Sequence, residues 1–180
     1  MTVDLVIAWS IRLGLALLFV AAAWHKLSDR RRFETAVRAY ELLPKRASSL
    51  LSWLLPAVEA AIAIGLLYPA WQRSAAIAAA GVLLLYTGAM AVNLARGRRR
   101  IDCGCFRSRS ATPLSAGLVA RNLGLIAAAC VLLLPVGTRA LTWIDGFTSV
   151  ATLVTLSLLW MAAQRLSHTG PALRGLGGAR

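Results

Sequence analysis

The sequence predicts an all-α fold, a polytopic transmembrane bundle of four core helices with a weaker fifth. Three observations predict it. Hydrophobic residues make up 58% of the 180 and charged residues only 15%, against about 25% charged in an ordinary soluble domain. Five apolar segments, Val3–Trp24, Leu50–Tyr68, Ala75–Ala95, Leu114–Leu134 and Phe147–Ala163, hold 22, 19, 21, 21 and 17 residues, and a helix needs roughly 20 to cross the hydrocarbon core. Basic residues, finally, crowd into alternate connections. These features exclude a soluble enzyme with its own buried core. They also exclude a large extramembrane domain, because no connection is long enough to fold alone. Residues 1–163 form the transmembrane domain. Residues 164–180, rich in glycine, read as a disordered basic tail.

The net charge of +13 comes from 20 Lys and Arg against 7 Asp and Glu. From the N-terminus onward, the extramembrane stretches carry 0, 7, 1, 6, 1 and 3 basic residues. The positive-inside rule then places the N-terminus outside and the C-terminus in the cytoplasm. Anionic headgroups of the bilayer account for the basic loops. Nucleic acid is not an expected partner, since aromatic interleaving and a soluble basic fold are both absent. Span one is not a cleavable signal peptide, because its positive residues follow the apolar run.

Between spans one and two, Asp29–Leu43 has a helical pattern. Phe33, Ala36, Val37 and Tyr40 share one face and arginines fill the others, so the spacing predicts a short interfacial helix ended by Pro44. In span four, Ala116, Ala120, Gly124 and Ala128 repeat every four positions, a stripe that would let another helix approach closely. Span five is the shortest and is diluted by Thr148, Thr152, Thr155 and Ser157.

Three ionisable side chains fall inside spans: Arg12, Glu59 and Arg121. Each costs about 2.5–3.5 kcal/mol on insertion scales. An arginine–carboxylate pair is the cheapest way to hold them, so Glu59 is expected to pair with Arg12 or Arg121, with Asn93 and Asn122 in reach. Pro56 would loosen the helix near Glu59. One reading of the surplus arginine is functional: it faces an anionic ligand, a quinone oxygen or a thiolate. The other is structural, an ion pair that fixes helix register.

Cys103 and Cys105 flank Gly104 in the connection between spans three and four. Such a pair can close a small strained ring, and strain makes a disulfide more easily reduced. Gly104 tolerates the sharp backbone. Nearby arginines favour the thiolate, while Asp102 opposes it. A one-residue loop constrains the unfolded chain little, so the pair suits thiol–disulfide exchange better than stapling. Two alternatives stay open. Both cysteines with His25 and His168 could hold zinc, although no second metal-type spacing supports it, or the two cysteines are inert at a turn. Cys130, near the far end of span four, reads as a buried small apolar residue.

These residues resemble a family. His25–Lys26–Leu27, Phe33, Tyr40 to Pro44 and Leu55 to Glu59, followed by Asn93 to Gly97, Ile101 to Phe106 and Arg121–Asn122, look like the MauE family of methylamine-utilisation proteins, related to DoxX-like membrane proteins. The resemblance covers about residues 5 to 135. Arg107 stands where the family pattern often has glycine. The resemblance implies a multi-pass bacterial inner-membrane protein supporting maturation, disulfide formation or export of a partner enzyme, in the family the small subunit of methylamine dehydrogenase. It implies a thioredoxin-like partner. On this reading Cys103 and Cys105 are the catalytic thiols of a thiol–disulfide oxidoreductase, supported by Gly104, Arg121, Asn122, Glu59 and Arg12. The charge count puts the pair on the cytoplasmic side, whereas an exported client favours the outer face. Electrons then enter from cytoplasmic thiols, or the connection folds back into the bundle. A non-catalytic assembly scaffold and a small-molecule transporter are the competing classes.

Overall fold

A computed structural model describes residues 3–42, 44–97, 116–137, 142–152, 154–155, 157–159 and 162. The described residues are organised as helices: α1 (Leu5–Ser28), α2 (Arg30–Ala39), α3 (Lys45–Leu67), α4 (Gln72–Ala95) and α5 (Ala116–Val131). A shorter apolar helix, Trp143–Leu159, follows as α6. Three helices are long and apolar enough to cross a membrane, Leu5–Ser28, Arg46–Leu67 and Pro69–Ala95, the last including a 3₁₀ turn. The chain is a multi-pass membrane protein. Its outward surface is correspondingly apolar: Leu17, Val20, Leu54, Ile64, Leu84 and Leu85 are among many large hydrophobic side chains left exposed, as lipid rather than water would require.

Helices α1, α3, α4 and α5 close a ring, with α1 against α3 and α5, and α4 against the same two. Helices α1 and α4 stand diagonally across the ring, so their inward side chains meet in the middle. Ser28, Lys45, Gly97 and Ala116 lie at one end, here called the basic end. Leu5, Leu67, Gln72 and Val131 lie at the far end. A backbone clasp closes the far end: the Val3 amide donates to the Pro135 carbonyl at 2.9 Å and the Gly137 amide to the Val3 carbonyl at 3.0 Å. At the hairpin between α3 and α4, a Cβ on Gly65 would stand 2.9 Å from that of Ala75. Only glycine permits that approach.

Aromatic side chains mark both membrane faces, as interfacial belts do. Trp24 and Trp53 are exposed toward the basic end, and Tyr68, Trp71 and Trp143 toward the far end.

The interfacial helix is present as α2. Asp29 caps it by accepting from the Arg32 amide at 3.2 Å, and Phe33 is its buried anchor. Its end differs from the expected one. The helix stops at Ala39, before Pro44, where Glu41 takes the left-handed φ of 49°. Pro44 instead starts α3 as its N-cap. Pro56 does not break α3, which runs continuously from Lys45 to Leu67.

Two expectations on span four fail. Ala116, Ala120 and Gly124 are exposed, and a Cβ on Gly124 would meet nothing within 4 Å. The inward face of α5 is instead the one carrying Asn122 and Ala129, because burying an amide inside the protein is cheaper than offering it to lipid. Cys130, next to Ala129, is therefore turned outward and exposed. The helix also ends at Val131, earlier than expected, in turns leading to Pro135. Proline disfavours helical backbone just before it.

Helix α6 begins at Trp143, before the expected Phe147. Thr142 caps it, its amide and hydroxyl donating to the Asp145 carboxylate at 2.8 and 2.9 Å. The threonines that dilute this segment donate to carbonyls four residues back, each at 2.8 Å. Their hydroxyls are thereby satisfied on an exposed helix face.

Candidate functional site

The centre of the ring holds a buried polar cluster drawn from three helices. Lys26 of α1 forms an ion pair with Glu59 of α3. The Tyr86 hydroxyl of α4 donates to the same oxygen, Glu59 Oε1, at 2.7 Å and accepts from Lys26 Nζ at 2.9 Å. The lysine ammonium also lies 4.7 Å from the Tyr86 ring centre and 5.2 Å from that of Phe33 in α2. Lys26 is 3% exposed and Glu59 0%.

This pairing corrects the expected one. Glu59 meets neither Arg12 nor Arg121. Arg12 lies nearer the far end, where Nε donates to the Leu66 carbonyl, Nη2 to the Leu67 carbonyl at 2.5 Å and Nη1 to Gln72 Oε1 at 3.2 Å. Its guanidinium stacks over Trp9 at 4.6 Å. Arg12 thus caps the C-terminus of α3, where carbonyls lack helix partners and carry partial negative charge. The cation that sequence reasoning missed is Lys26, which follows the apolar run and looked like part of the basic flank. Helix geometry supplied a signal. Phe19, Ala22, Ala23 and Lys26 continue one inward stripe of α1 at the spacing that repeats on a helix face.

Side-chain direction explains how Lys26 reaches Glu59. The contacts at Arg12 and at Lys26 are separated by roughly 21 Å along α1 but only about 10 Å along α3. Helical side chains lean toward their own N-terminus. The two helices are antiparallel, so Lys26 leans up into the bundle while Glu59 leans down toward it.

Toward the basic end lie two more buried amides. Asn93 Nδ2 donates to the Ala89 carbonyl at 3.1 Å. Arg121 Nη2 lies 3.5 Å from Asn122 Oδ1, its acceptor. Among the described residues, Glu59 Oε2, Asn93 Oδ1 and Asn122 Nδ2 are buried without a hydrogen-bond partner. The structure therefore places Glu59, Asn93, Arg121 and Asn122 in the basic-end half of the bundle and Arg12 outside that group. Cys103, Gly104 and Cys105 lie outside the described residues, as does His168.

The comparisons with known proteins agree with the sequence resemblance. The family model described as methylamine utilisation protein MauE matches residues 4–135. Relatives named methylamine utilization protein MauE include one from Paracoccus denitrificans, 42% identical over 92% of this chain and 90% of its own length. Another, from Methylophilus methylotrophus, is 36% identical over 89% of this chain and 85% of its own. A third, from Methylorubrum extorquens, is 39% identical over 75% and 74%. No solved structure matches the chain. A ring of membrane helices around a buried Lys–Glu–Tyr cluster, matched by that model from the start of α1 to the end of α5, belongs to the MauE family of methylamine-utilisation proteins.

Proposed function

We propose that the chain supports oxidative maturation of a partner enzyme in methylamine utilisation, through thiol–disulfide exchange at Cys103 and Cys105. The observation that carries this reading is where the pair sits in the chain. The connection bearing both cysteines leaves α4 after Ala95 and enters α5 at Ala116. Those helix termini are the ones nearest the buried Asn93 and Asn122 and the part-buried Arg121. Arginine near a cysteine pair favours the reactive thiolate.

The exchange runs as follows. A client thiolate attacks the Cys103–Cys105 disulfide and forms a mixed disulfide. The client's second thiolate displaces it. The client gains one S–S bond, and its two thiol protons and two electrons end on Cys103 and Cys105 as a dithiol. A thioredoxin-like partner's disulfide then takes those electrons and protons, restoring the pair. Gly104 permits the tight ring, Arg121 and Asn122 stabilise the thiolate, Glu59 holds the basic-end half of the bundle together, and Arg12 fixes the opposite end. The basic end faces the cytoplasm of a bacterial inner membrane, with the N-terminus outside and the C-terminus inside, following the bias of basic residues.

Cys103→Ser and Cys105→Ser should leave membrane insertion intact and abolish disulfide formation in the client, read by thiol alkylation of the client from methylamine-grown cells. A fully active double-serine chain overturns the proposal. Labelling the native cysteines from each side of the membrane, with and without reductant, checks sidedness and oxidation state together.

A further inference from the structure

We infer that the basic-end half of the bundle interior is a hydrated vestibule that ends blindly at Glu59, while the far half is dry. The inference needs no role for the cysteines and stands apart from the thiol reading.

The buried stripe of α3 changes character at Glu59. On the basic-end side it carries Ser48, Ser52 and Pro56; on the far side Ile62, Ala63 and Leu66. Helix α4 changes in the same sense. Its buried residues toward the far end, Ala75, Ala76, Ala79, Val82 and Leu83, are all apolar, and those toward the basic end, Thr87, Met90 and Asn93, include two polar side chains. Helix α5 buries Asn122 near the basic end and Ala129 near the far end. Three inward faces thus switch from polar to apolar along the same direction. The charged groups buried toward the far end are satisfied locally: Arg12 is bonded to backbone carbonyls and Gln72, and the Asp145 carboxylate accepts from the Thr142 amide and hydroxyl.

The unfilled atoms define the occupant. Glu59 Oε2 and Asn93 Oδ1 are acceptors, and Asn122 Nδ2 is a donor. The amide orientations are fixed, because Asn93 donates to a carbonyl and Asn122 accepts from a guanidinium. An occupant must therefore both donate and accept. A metal cation or an anion does only one of these, and an acyl chain neither. Lys26 and Glu59 offset each other's charge at the inner end. Water fits, and buried water typically bonds to groups of this kind. By helix rise, Asn93 lies roughly 3 Å from the end of α4 at Ala95, Asn122 roughly 9 Å from the start of α5, and Tyr86 about 10 Å beyond Asn93. These are steps for a short file of water from the basic end. Its consequence is one-sided access: protons and small polar solutes reach Lys26–Glu59–Tyr86 from the basic end, and Ala63, Leu66, Ala76 and Ala79 bar passage onward.

The test uses the full chain in lipid nanodiscs, with Cys103, Cys105 and Cys130 replaced by serine. Single cysteines are placed at Ser52→Cys and Asn93→Cys in the vestibule, and at Ala63→Cys and Ala79→Cys in the far half. All four native side chains are almost wholly buried. Iodoacetamide, small, neutral and water-soluble, attacks the thiolate, which forms only where water reaches. Positions 52 and 93 should react at least about ten-fold faster than 63 and 79, the factor that one pKa unit of thiol desolvation produces. All four should react alike after denaturation in detergent. Equal rates in the native protein overturn the inference. So do four unreactive sites, which mean a dry interior, and so do reactive far-half sites, which mean an open channel or a loose bundle. Ser52→Cys is nearly isosteric, so its comparison with Ala63→Cys decides the matter even if Asn93→Cys fails to fold.

Discussion

Helix α1 buries a cation toward each end, and the two are held in opposite ways. Toward the far end, Arg12 is satisfied by carbonyls at the α3 C-terminus and by Gln72, without a carboxylate. At the basic end, Lys26 relies on a full opposite charge, with Tyr86 completing a three-way contact and Glu59 Oε2 left over. The comparison teaches that a membrane bundle can neutralise a buried cation with charge or with backbone, and the choice shapes what surrounds it. Capping a helix end with arginine uses groups that would otherwise be orphaned, so the interior nearby stays apolar and closed. Pairing lysine with glutamate imports a second ion, whose remaining oxygen keeps that half of the interior polar.

The sharpest way to break the comparison is to remove one partner at the basic end. Glu59→Leu leaves the Lys26 charge buried without its counter-ion, which typically destabilises by about 3–5 kcal/mol. Lys26→Met with Glu59→Leu removes both charges and should recover most of that loss, because a packed apolar pair often matches a buried ion pair. Unfolding followed by tryptophan fluorescence in detergent measures both. If the double variant is as unstable as the single one, Lys26 and Glu59 are not each other's principal partners.

Arg12→Met is the matching lesion nearer the far end. It strips donors from the Leu66 and Leu67 carbonyls and should cost about 1.5–3 kcal/mol, the range for hydrogen bonds to a charged group. No single carboxylate deletion should rescue it. Combined with Glu59→Leu, the two losses should add, since well-separated sites without shared partners behave independently. A coupling above about 0.5 kcal/mol would join the two ends into one network and return Arg12 to the pairing the sequence suggested.

That mistaken pairing shows where the sequence stops being legible. The bundle itself could be read, because span length and loop charge answer to bilayer thickness and orientation. Glu59, Asn93, Arg121 and Asn122 could be picked out as polar residues in apolar runs, and they do gather in one half. Their partners could not. Opposite charge suggests a carboxylate for Arg12, yet backbone carbonyls at a helix end carry no mark in the sequence. Lys26 was hidden because hydropathy ends the first span at Trp24, whereas the helix continues to Ser28. A long side chain leaning toward its N-terminus carries charge deeper than its position implies. The small residues of α5 misled for a related reason. Their spacing defines a face, but Asn122 on the opposite face decides which one turns inward.

The smallest expected effect belongs to α2, at the membrane surface. Glu34 and Arg38 form an ion pair at 2.6 Å across one turn, with Arg38 half exposed. Exposed pairs of this spacing contribute about 0.3–0.5 kcal/mol and are screened by salt. What holds α2 is elsewhere: Phe33 is buried beneath it, and the Arg30 guanidinium lies 4.3 Å from the Trp53 ring centre. Glu34→Gln should therefore shift unfolding by less than about 0.5 kcal/mol, with the difference vanishing at high salt. Phe33→Ala, which empties a buried site, should cost several times more. If Glu34→Gln proves as damaging as Phe33→Ala, and salt does not abolish the effect, the surface of α2 lies in a low-dielectric layer. The contrast between a screened surface pair and the buried Lys26–Glu59 pair would then collapse into a single class of membrane-embedded contacts.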